Sequence, residues 1–189
     1  YYADGWYPGG VAGAGGPFEP SAALLKATLI AAAVDLTDLG CTFVDPIPSR
    51  DQGWGMVQLD RALYFPGDEH GLVVHDERAG FRRPGAEPFV LTLEVPEAGP
   101  LKAVLVWTDP PSSSAADVNL VNDLDLVVTG PDGSFRGNVM AQGESVAGGA
   151  ADRLNNVEVV WLRDALPGPW KLSVSPHAVA RGGQGWALV

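Results

Sequence analysis

The sequence predicts a mainly β protein, in which an antiparallel β-sandwich of the jelly-roll type follows a segment of loop and helix. Three observations support this prediction. After residue 66, apolar and polar residues alternate with a period of two in several short runs. Turn-forming residues separate these runs, and the chain is rich in them, with 24 glycines and 16 prolines. No helical pattern lies between the runs, which is typical of a sandwich and not of an alternating α/β fold.

The first 65 residues contain little strand pattern. Residues 1–19 are aromatic and then glycine-rich, which predicts an irregular loop. A helix is predicted over about residues 20–34, with Pro20 at its first position and Ser21 in its first turn. Because this helix is apolar nearly all round, we expect it to be buried on several sides. A broken loop follows, and a short helix or turn is predicted over about residues 56–64.

Residues 66–189 contain the predicted strands. The best example is PFVLTLEV, in which Phe89, Leu91, Leu93 and Val95 alternate with polar or smaller residues. The other predicted strands, in chain order, are GLVVHDE, LKAVLVWTD, NLVNDLDLVVTG, NNVEVVWLRD, WKLSVSPH and GQGWALV. The PDGS sequence at 131–134 predicts a turn, with Asp132 in an ordinary turn role. The sequence therefore predicts two parts, 1–65 and 66–189.

Charge and composition exclude several classes of function. The net charge is −11 and no cluster of Lys and Arg exists, which argues against a nucleic-acid partner. No apolar run reaches the roughly 18 residues of a membrane span. Cys41 is the only cysteine, so an internal disulfide is impossible and one Cys with three scattered His makes a zinc site improbable. The chain begins at Tyr1 without a signal peptide, so we expect a processed product or a piece of a longer polypeptide.

Acidic residues occupy one face of a predicted strand. Asp123 and Asp125 are two residues apart, so they share a face with Asn119, while Leu124, Leu126 and Val128 form the core face. Their charges repel each other, and Asp is a poor strand former. In the later strand NNVEVVWL, Asn156 and Glu158 share one face in the same way. If the two strands are neighbours, four or five hard oxygens converge.

Calcium, which takes six to eight oxygen ligands, would cancel the repulsion between the aspartates. The candidate ligands are therefore Asp123 and Asp125, with Asn156 and Glu158 as co-ligands. Asp109 and Asp117 lie at loop positions beside the same strand and are further candidates. The alternative for Asp123 and Asp125 is a solvated acidic face, and the alternative for Asp109 is a turn residue that accepts backbone N–H bonds.

Two groups of sequence motifs resemble one protein family. PSAALLKATLIAAAVDL followed by DQGWGMVQLDRAL resembles the end of a subtilisin-like serine protease domain, after the helix with the nucleophilic serine. WTDPP, LVNDLDLVV and NNVE, in this order, resemble the C-terminal jelly-roll domain of the oxidatively stable alkaline proteases of that family, and more loosely the P-domains of proprotein convertases. The resemblance implies a secreted, extracellular protein whose partner is an upstream catalytic domain. It also supports a calcium site, without identifying each ligand.

The sequence lacks the motifs that surround the catalytic triad in this family, including Gly-Thr-Ser-Met-Ala-Pro around the nucleophile. His70, His75 and His177 lie in or beside predicted strands or loops, and no serine occupies a strand–helix elbow. A triad needs a base in contact with the nucleophile and an acid that orients the base. We therefore expect no catalytic residue in this chain and no peptide hydrolysis by it alone.

Three functions remain open from the sequence. The first is a calcium-stabilised, non-catalytic β-domain of a secreted subtilisin-like endopeptidase, which the sequence favours. The second is an extracellular module that binds carbohydrate or another polymer, which needs exposed aromatic residues such as Trp6, Trp54 and Trp186. Trp107, Trp161 and Trp170 lie among aliphatic residues and are expected in the core. The third is a hydrolase that uses an unrecognised acidic pair.

Overall fold

The computed structural model describes all residues, 1–189, and contains two packed β-sheets. The five-stranded sheet has the order β4-β10-β6-β7-β8 and the four-stranded sheet has the order β3-β11-β5-β9, with every pair antiparallel. The predicted β-sandwich is thereby confirmed. The strands are β3 (His75–Phe81), β4 (Phe89–Val95), β5 (Gly99–Trp107), β6 (Asn122–Gly130), β7 (Gly133–Ala141), β8 (Glu144–Ala147), β9 (Val157–Ala165), β10 (Gly168–Val179) and β11 (Gln184–Leu188).

The N-terminal part contains one helix, α1 (Ala22–Ala31), a small ladder of β1 (Ala33–Val34) with β2 (Met56–Val57), and a 3₁₀ turn at Leu59–Arg61. Helix α1 ends three residues earlier than predicted because the chain extends at Ala33 to pair with Val57. The short helix or turn predicted over about 56–64 is present as the 3₁₀ turn at Leu59–Arg61, while Met56 and Val57 before it form the other side of this ladder. No helix has the length and apolarity needed to cross a membrane.

Helix α1 is capped by a side chain and by the sandwich. Ser21 is its N-cap, and the Ser21 hydroxyl accepts a hydrogen bond from Leu24 N at 3.0 Å. Asp76 of β3 in turn accepts bonds from Ser21 N and Ser21 Oγ, at 2.8 and 2.6 Å. These bonds anchor the start of the helix to the β-sandwich. Pro20 therefore precedes the cap and is not the first helical residue.

The four-stranded sheet is buried on both of its faces. Its inner face packs on the five-stranded sheet through residues such as Leu105, Val160 and Trp107. Its outer face packs under α1, where Val104, Val106, Val157, Val159 and Ala187 contact Leu24, Ala27 and Ile30. This two-sided burial explains why β5 and β9 read as nearly continuous apolar runs instead of clean alternation.

The burial of each tryptophan in the β-sandwich depends on the strand that carries it. Trp107 and Trp170 are fully buried in the sandwich core, as predicted, and Trp161 packs in the cluster beneath α1. Trp186, expected to be partly exposed, is only 2% exposed. Its ring stacks on His75 and packs near Phe89, with ring centroids 5.1 and 5.0 Å away.

Two strands of the structure, β7 and β8, were not predicted, and β3 begins later than predicted. β7 and β8 contain glycine, asparagine and serine, so their periodicity is weak. β3 begins at His75, not at residue 71, and extends through Arg78 and Gly80. Gly80 has φ +59° and its Cα lies against the Gln184 backbone, which leaves no space for a side chain. The close approach of β3 to β11 depends on this glycine.

The outer edge of β9 is protected by side chains instead of a further strand. Asn138 of β7 donates from its amide to Val157 O at 2.7 Å and accepts from Val159 N at 3.0 Å. Ser145 Oγ accepts from Trp161 N at 2.9 Å, and Glu144 Oε1 accepts from Arg163 N at 2.9 Å. Every second N–H of the edge strand thus has a partner, and the edge is closed to pairing with another chain.

We expect Asn138→Ala to destabilise the protein by roughly 2 kcal/mol, because two backbone groups of β9 lose their partner. Gln142→Ala is the matched control, since Asn138 and Gln142 are the two non-glycine residues with positive φ, at 62° and 53°. The control shares the backbone strain without the contacts to β9. Urea unfolding of the two variants measures the difference, and equal losses of stability would contradict the role given to Asn138.

Candidate functional site

The two aspartates of β6 lie in a compact group of charges. We call Asp123, Asp125, Asp152, Arg153 and Glu158 the acidic cluster. Asp123 and Asp125 project from the face of β6 opposite to the buried Leu124, Leu126 and Val128, as the alternation predicted. Asp152 and Arg153 lie in the loop before β9, and Glu158 lies in β9.

Arg153 forms ion pairs with both aspartates. Its Nη1 donates to Asp125 Oδ1 at 2.6 Å and to both carboxylate oxygens of Asp123, at 3.1 and 3.2 Å. Its Nη2 reaches Asp125 Oδ2 at 3.3 Å. Asp123 is largely buried, with 9% of its side chain exposed, so the ion pair is shielded from solvent on that side. Arg153 is not among the predicted site residues, because nothing local to β6 indicates an arginine 28 residues further along the chain.

Glu158 is the buried member of the acidic cluster. It is 1% exposed, and its Oε2 accepts a hydrogen bond from Leu126 N. β7 pairs with β6 only over Val127–Gly130, so Leu126 N has no partner in β7. A Cβ at Gly137 would lie 2.4 Å from Glu158 Oε2, so glycine at this position makes room for the carboxyl group. Glu158 therefore fills the gap that β7 leaves when it bends away.

Burial raises the pKa of the Glu158 carboxyl to about 8. The hydrogen bond from Leu126 N opposes this shift, and the negative charges of Asp125, Asp152 and Asp123 add to it. Burial also raises the pKa of Asp123, while Arg153 acts in the opposite direction. Asp152 differs: burial acts to raise its pKa, but hydrogen bonds from Asn155, Asn138 and Leu154 N outweigh it and the pKa is lowered. Burial therefore favours the protonated form of Glu158.

The remaining predicted ligands lie outside the acidic cluster. Asp109 accepts from Val121 N and Asn122 N, at 2.7 and 2.8 Å, which is the turn role named as its alternative. Asn156 donates to Trp107 O at 3.0 Å and its Oδ1 faces Lys26 Nζ at 3.4 Å. Asp117 is exposed on the loop before β6. β6 and β9 belong to different sheets, and of the two predicted ligands Asn156 and Glu158 only Glu158 reaches β6, through its hydrogen bond with Leu126 N.

The acidic cluster does not fit a calcium site in this geometry. The guanidinium of Arg153 lies between the two carboxylates, where a cation would have to be placed. No group of three or more His, Cys, Asp or Glu side chains is arranged to hold a metal ion. What the arrangement does offer is a partly exposed arginine, with 39% of its side chain accessible, surrounded by more carboxylates than it can neutralise.

Comparison with known proteins places this chain beside proteins named as serine proteases. It is 28% identical over its whole length to "Serine protease/ABC transporter B family protein tagA" of Dictyostelium discoideum. It is 28% identical over 84% of its length to the tagD protein and 38% identical over 46% of its length to the tagB protein, which carry the same family name. The chain spans about 11% of the length of tagA and of tagD. It matches no protein-family model.

We expect the pH dependence of stability to report the proton on Glu158. Because the folded-state pKa is about 8 and the ordinary value is 4.5, the folded chain holds a proton that the unfolded chain releases in this window. This contribution is fully present below the unfolded pKa and is lost as the pH rises through the folded pKa. The free energy of unfolding should therefore fall between these pH values, by at most about 1.4 kcal/mol per pH unit from this group.

Glu158→Gln should remove this part of the slope, because the amide keeps an oxygen for Leu126 N and does not titrate. Glu94→Gln, at an exposed position of β4, is the control and should keep the wild-type slope. Urea unfolding at a series of pH values from 5 to 8 measures all three proteins. Parallel curves for the wild type and Glu158→Gln would show that Glu158 does not hold a proton in the fold.

Proposed function

We propose that this chain is a non-catalytic, C-terminal part of a secreted subtilisin-like serine endopeptidase. In this proposal, residues 1–65 end the catalytic domain and residues 66–189 form the accessory β-sandwich that stabilises it. The names of the Dictyostelium relatives support an association with a serine protease. The sequence motifs within residues 20–63 and 107–158 support the subtilisin-like assignment.

The observation that carries the proposal is the apolar surface of the N-terminal part. Nine of the fifteen large apolar side chains that are well exposed lie within residues 1–65: Val11, Leu25, Leu29, Leu39, Phe43, Met56, Val57, Leu59 and Phe65. Phe43 is 95% exposed. Helix α1 was expected to be buried on several sides, but it buries one face on the four-stranded sheet and exposes Leu25 and Leu29 on the other. Such concentration of apolar surface is typical of an interface with another domain.

The histidines support a non-catalytic role. His70 Nε2 lies 3.1 Å from Leu63 O, and no serine hydroxyl is hydrogen-bonded to His70, His75 or His177. His75 is stacked between Phe89 and Trp186, with ring centroids at 4.2 and 5.1 Å. In our proposal, the nucleophile, base and orienting acid all belong to the upstream catalytic domain. Peptide hydrolysis by the purified 189-residue chain would contradict this.

The polymer-binding alternative gains no support from the tryptophans. Trp107, Trp170 and Trp186 are buried. Trp6 packs against Phe65, and Trp54 and Trp161 pack against the cluster beneath α1. The sandwich therefore lacks the exposed aromatic row on which sugar rings stack.

We expect Leu25→Gln together with Leu29→Gln to change the stability of the isolated chain by less than about 1 kcal/mol, because both side chains are half exposed and Gln is a good helix former. In the full-length protease the same pair should cost roughly 2–4 kcal/mol, because burial of the two leucines against the catalytic domain is lost. Leu154→Gln is the control, since Leu154 is 67% exposed on the β-sandwich. Thermal unfolding of both lengths is the measurement. An equal, small effect of both changes in the full-length enzyme would refute the interface.

Stabilisation by calcium stays a prediction. Its support is the charge of the acidic cluster: with Glu158 protonated, the carboxylates of Asp123, Asp125 and Asp152 still exceed the single positive charge of Arg153. A calcium ion bound by Asp123 and Asp125 requires that the guanidinium moves away. Calcium and Arg153 would therefore compete for the same carboxylates.

If calcium binds there, the melting temperature of the chain rises in calcium relative to EGTA. Arg153→Ala should enlarge this rise, because the competing cation is gone, and Asp125→Ala should abolish it. A ligand that binds only the folded state at a hundredfold excess over its Kd contributes about 2.7 kcal/mol. Identical melting in calcium and EGTA for the wild type and Arg153→Ala would leave arginine as the only counterion and end the calcium hypothesis.

A further inference from the structure

A cavity of about 640 Å³ lies between the N-terminal part and the β-sandwich. Its apolar wall comes from both sheets: Leu91, Leu93 and Leu172 of the five-stranded sheet, and Leu101 and Leu188 of the four-stranded sheet. Fifteen of the 23 residues that line it are hydrophobic. Its volume is within the range of cavities that hold small organic ligands, roughly 300–1,000 Å³. We call it the lysine cavity, after Lys102.

Lys102 places a positive charge at the wall of this cavity. Its Nζ donates to Ala33 O at 2.7 Å and lies 5.6 Å from the centroid of the Trp161 ring. It belongs to none of the ion pairs of the structure, which involve Arg153 and Arg163 only. Because an ammonium group has three N–H donors, two remain for a further partner. Burial lowers the pKa of the Lys102 amine to about 8, which reflects a charge that lacks full solvation.

The carboxylates near the cavity are already occupied. Asp35 accepts hydrogen bonds from Thr37 N, Thr37 Oγ1, Ile47 N and Gln52 Nε2, at 2.8 to 2.9 Å. Asp38 pairs with Arg163 at 2.7 Å. Arg61 also lines the cavity. Three basic side chains, Lys102, Arg61 and Arg163, therefore line the cavity with two carboxylates, in a chain whose net charge is −11.

We propose that the lysine cavity binds a small amphiphilic carboxylate, with its anionic head on Lys102 and its hydrocarbon part against the leucines of both sheets. Charge complementarity supports an anion, because neither Lys102, which is half-buried, nor Arg61, which is exposed, has a carboxylate partner. The apolar wall supports a hydrocarbon body, because each buried CH₂ group favours binding. The proposal is independent of the protease assignment and goes beyond it.

Octanoate is the probe, and 1-octanol, which has the same chain without the charge, is the matched ligand. Calorimetric titration below the micellar concentration should show octanoate binding at least tenfold more tightly than octanol. Lys102→Met keeps most of the apolar stem and should weaken octanoate binding at least tenfold. Lys171→Met is the control at an exposed lysine of β10 and should leave the affinity unchanged.

A second measurement on the lysine amines does not depend on how Lys102→Met folds. The chain contains only three lysines, Lys26, Lys102 and Lys171, so reductive ¹³C-methylation gives few NMR signals. Lys26→Arg and Lys171→Arg, both at exposed positions, assign the Lys102 signal by elimination. Octanoate should shift that signal alone, in a saturable manner. No saturable shift at Lys102, or equal affinity for octanoate and octanol, would overturn the proposal.

Discussion

Burial of the four-stranded sheet on both faces is the constraint from which the rest of the architecture follows. A sheet in a two-layer sandwich buries one face, but here Val104, Val106, Val157, Val159 and Ala187 also leave water beneath helix α1. The β-sandwich therefore needs the N-terminal part to cover its outer face. The bonds from Ser21 to Asp76 and from Lys102 to Ala33 fasten the two parts together at separate points. Residues 1–65 and residues 66–189 are therefore packed against each other through one shared apolar cluster.

The bend of β7 at Gly137 and Asn138 connects edge protection with the acidic cluster. Where β7 leaves β6, Glu158 of β9 supplies the missing acceptor for Leu126 N. Where β7 approaches β9, the Asn138 amide supplies the missing partners for the edge strand and also donates to Asp152 at 2.6 Å. Glu158 of one sheet thus bonds to the backbone of β6, and Asn138 of the other sheet bonds to the backbone of β9. A buried carboxyl group is costly when charged, so the fold accommodates Glu158 in its protonated form.

The N-terminal part has two apolar surfaces, and they suit different kinds of partner. Its outer surface, with Leu25, Leu29 and Phe43, is convex and open, and it suits contact with another folded domain. Its inner surface lines the lysine cavity, which is concave and carries two cations without a carboxylate partner, Lys102 and Arg61. The first fits an accessory role beside a protease domain. The second is a property of the chain itself and does not require that domain.

The amino-acid sequence alone determined the fold class, the core face of β6 and the burial of Trp107 and Trp170, because alternation and turn residues act over a few neighbouring positions. It also indicated that the charges of Asp123 and Asp125 repel each other on one strand face, where a cation would cancel the repulsion. Only the tertiary structure decided that Arg153 supplies this cation, that Glu158 is buried and that Asp109 caps a turn. The physical reason is distance along the chain: the partners are 12 to 32 residues away in sequence and meet only after the two sheets pack.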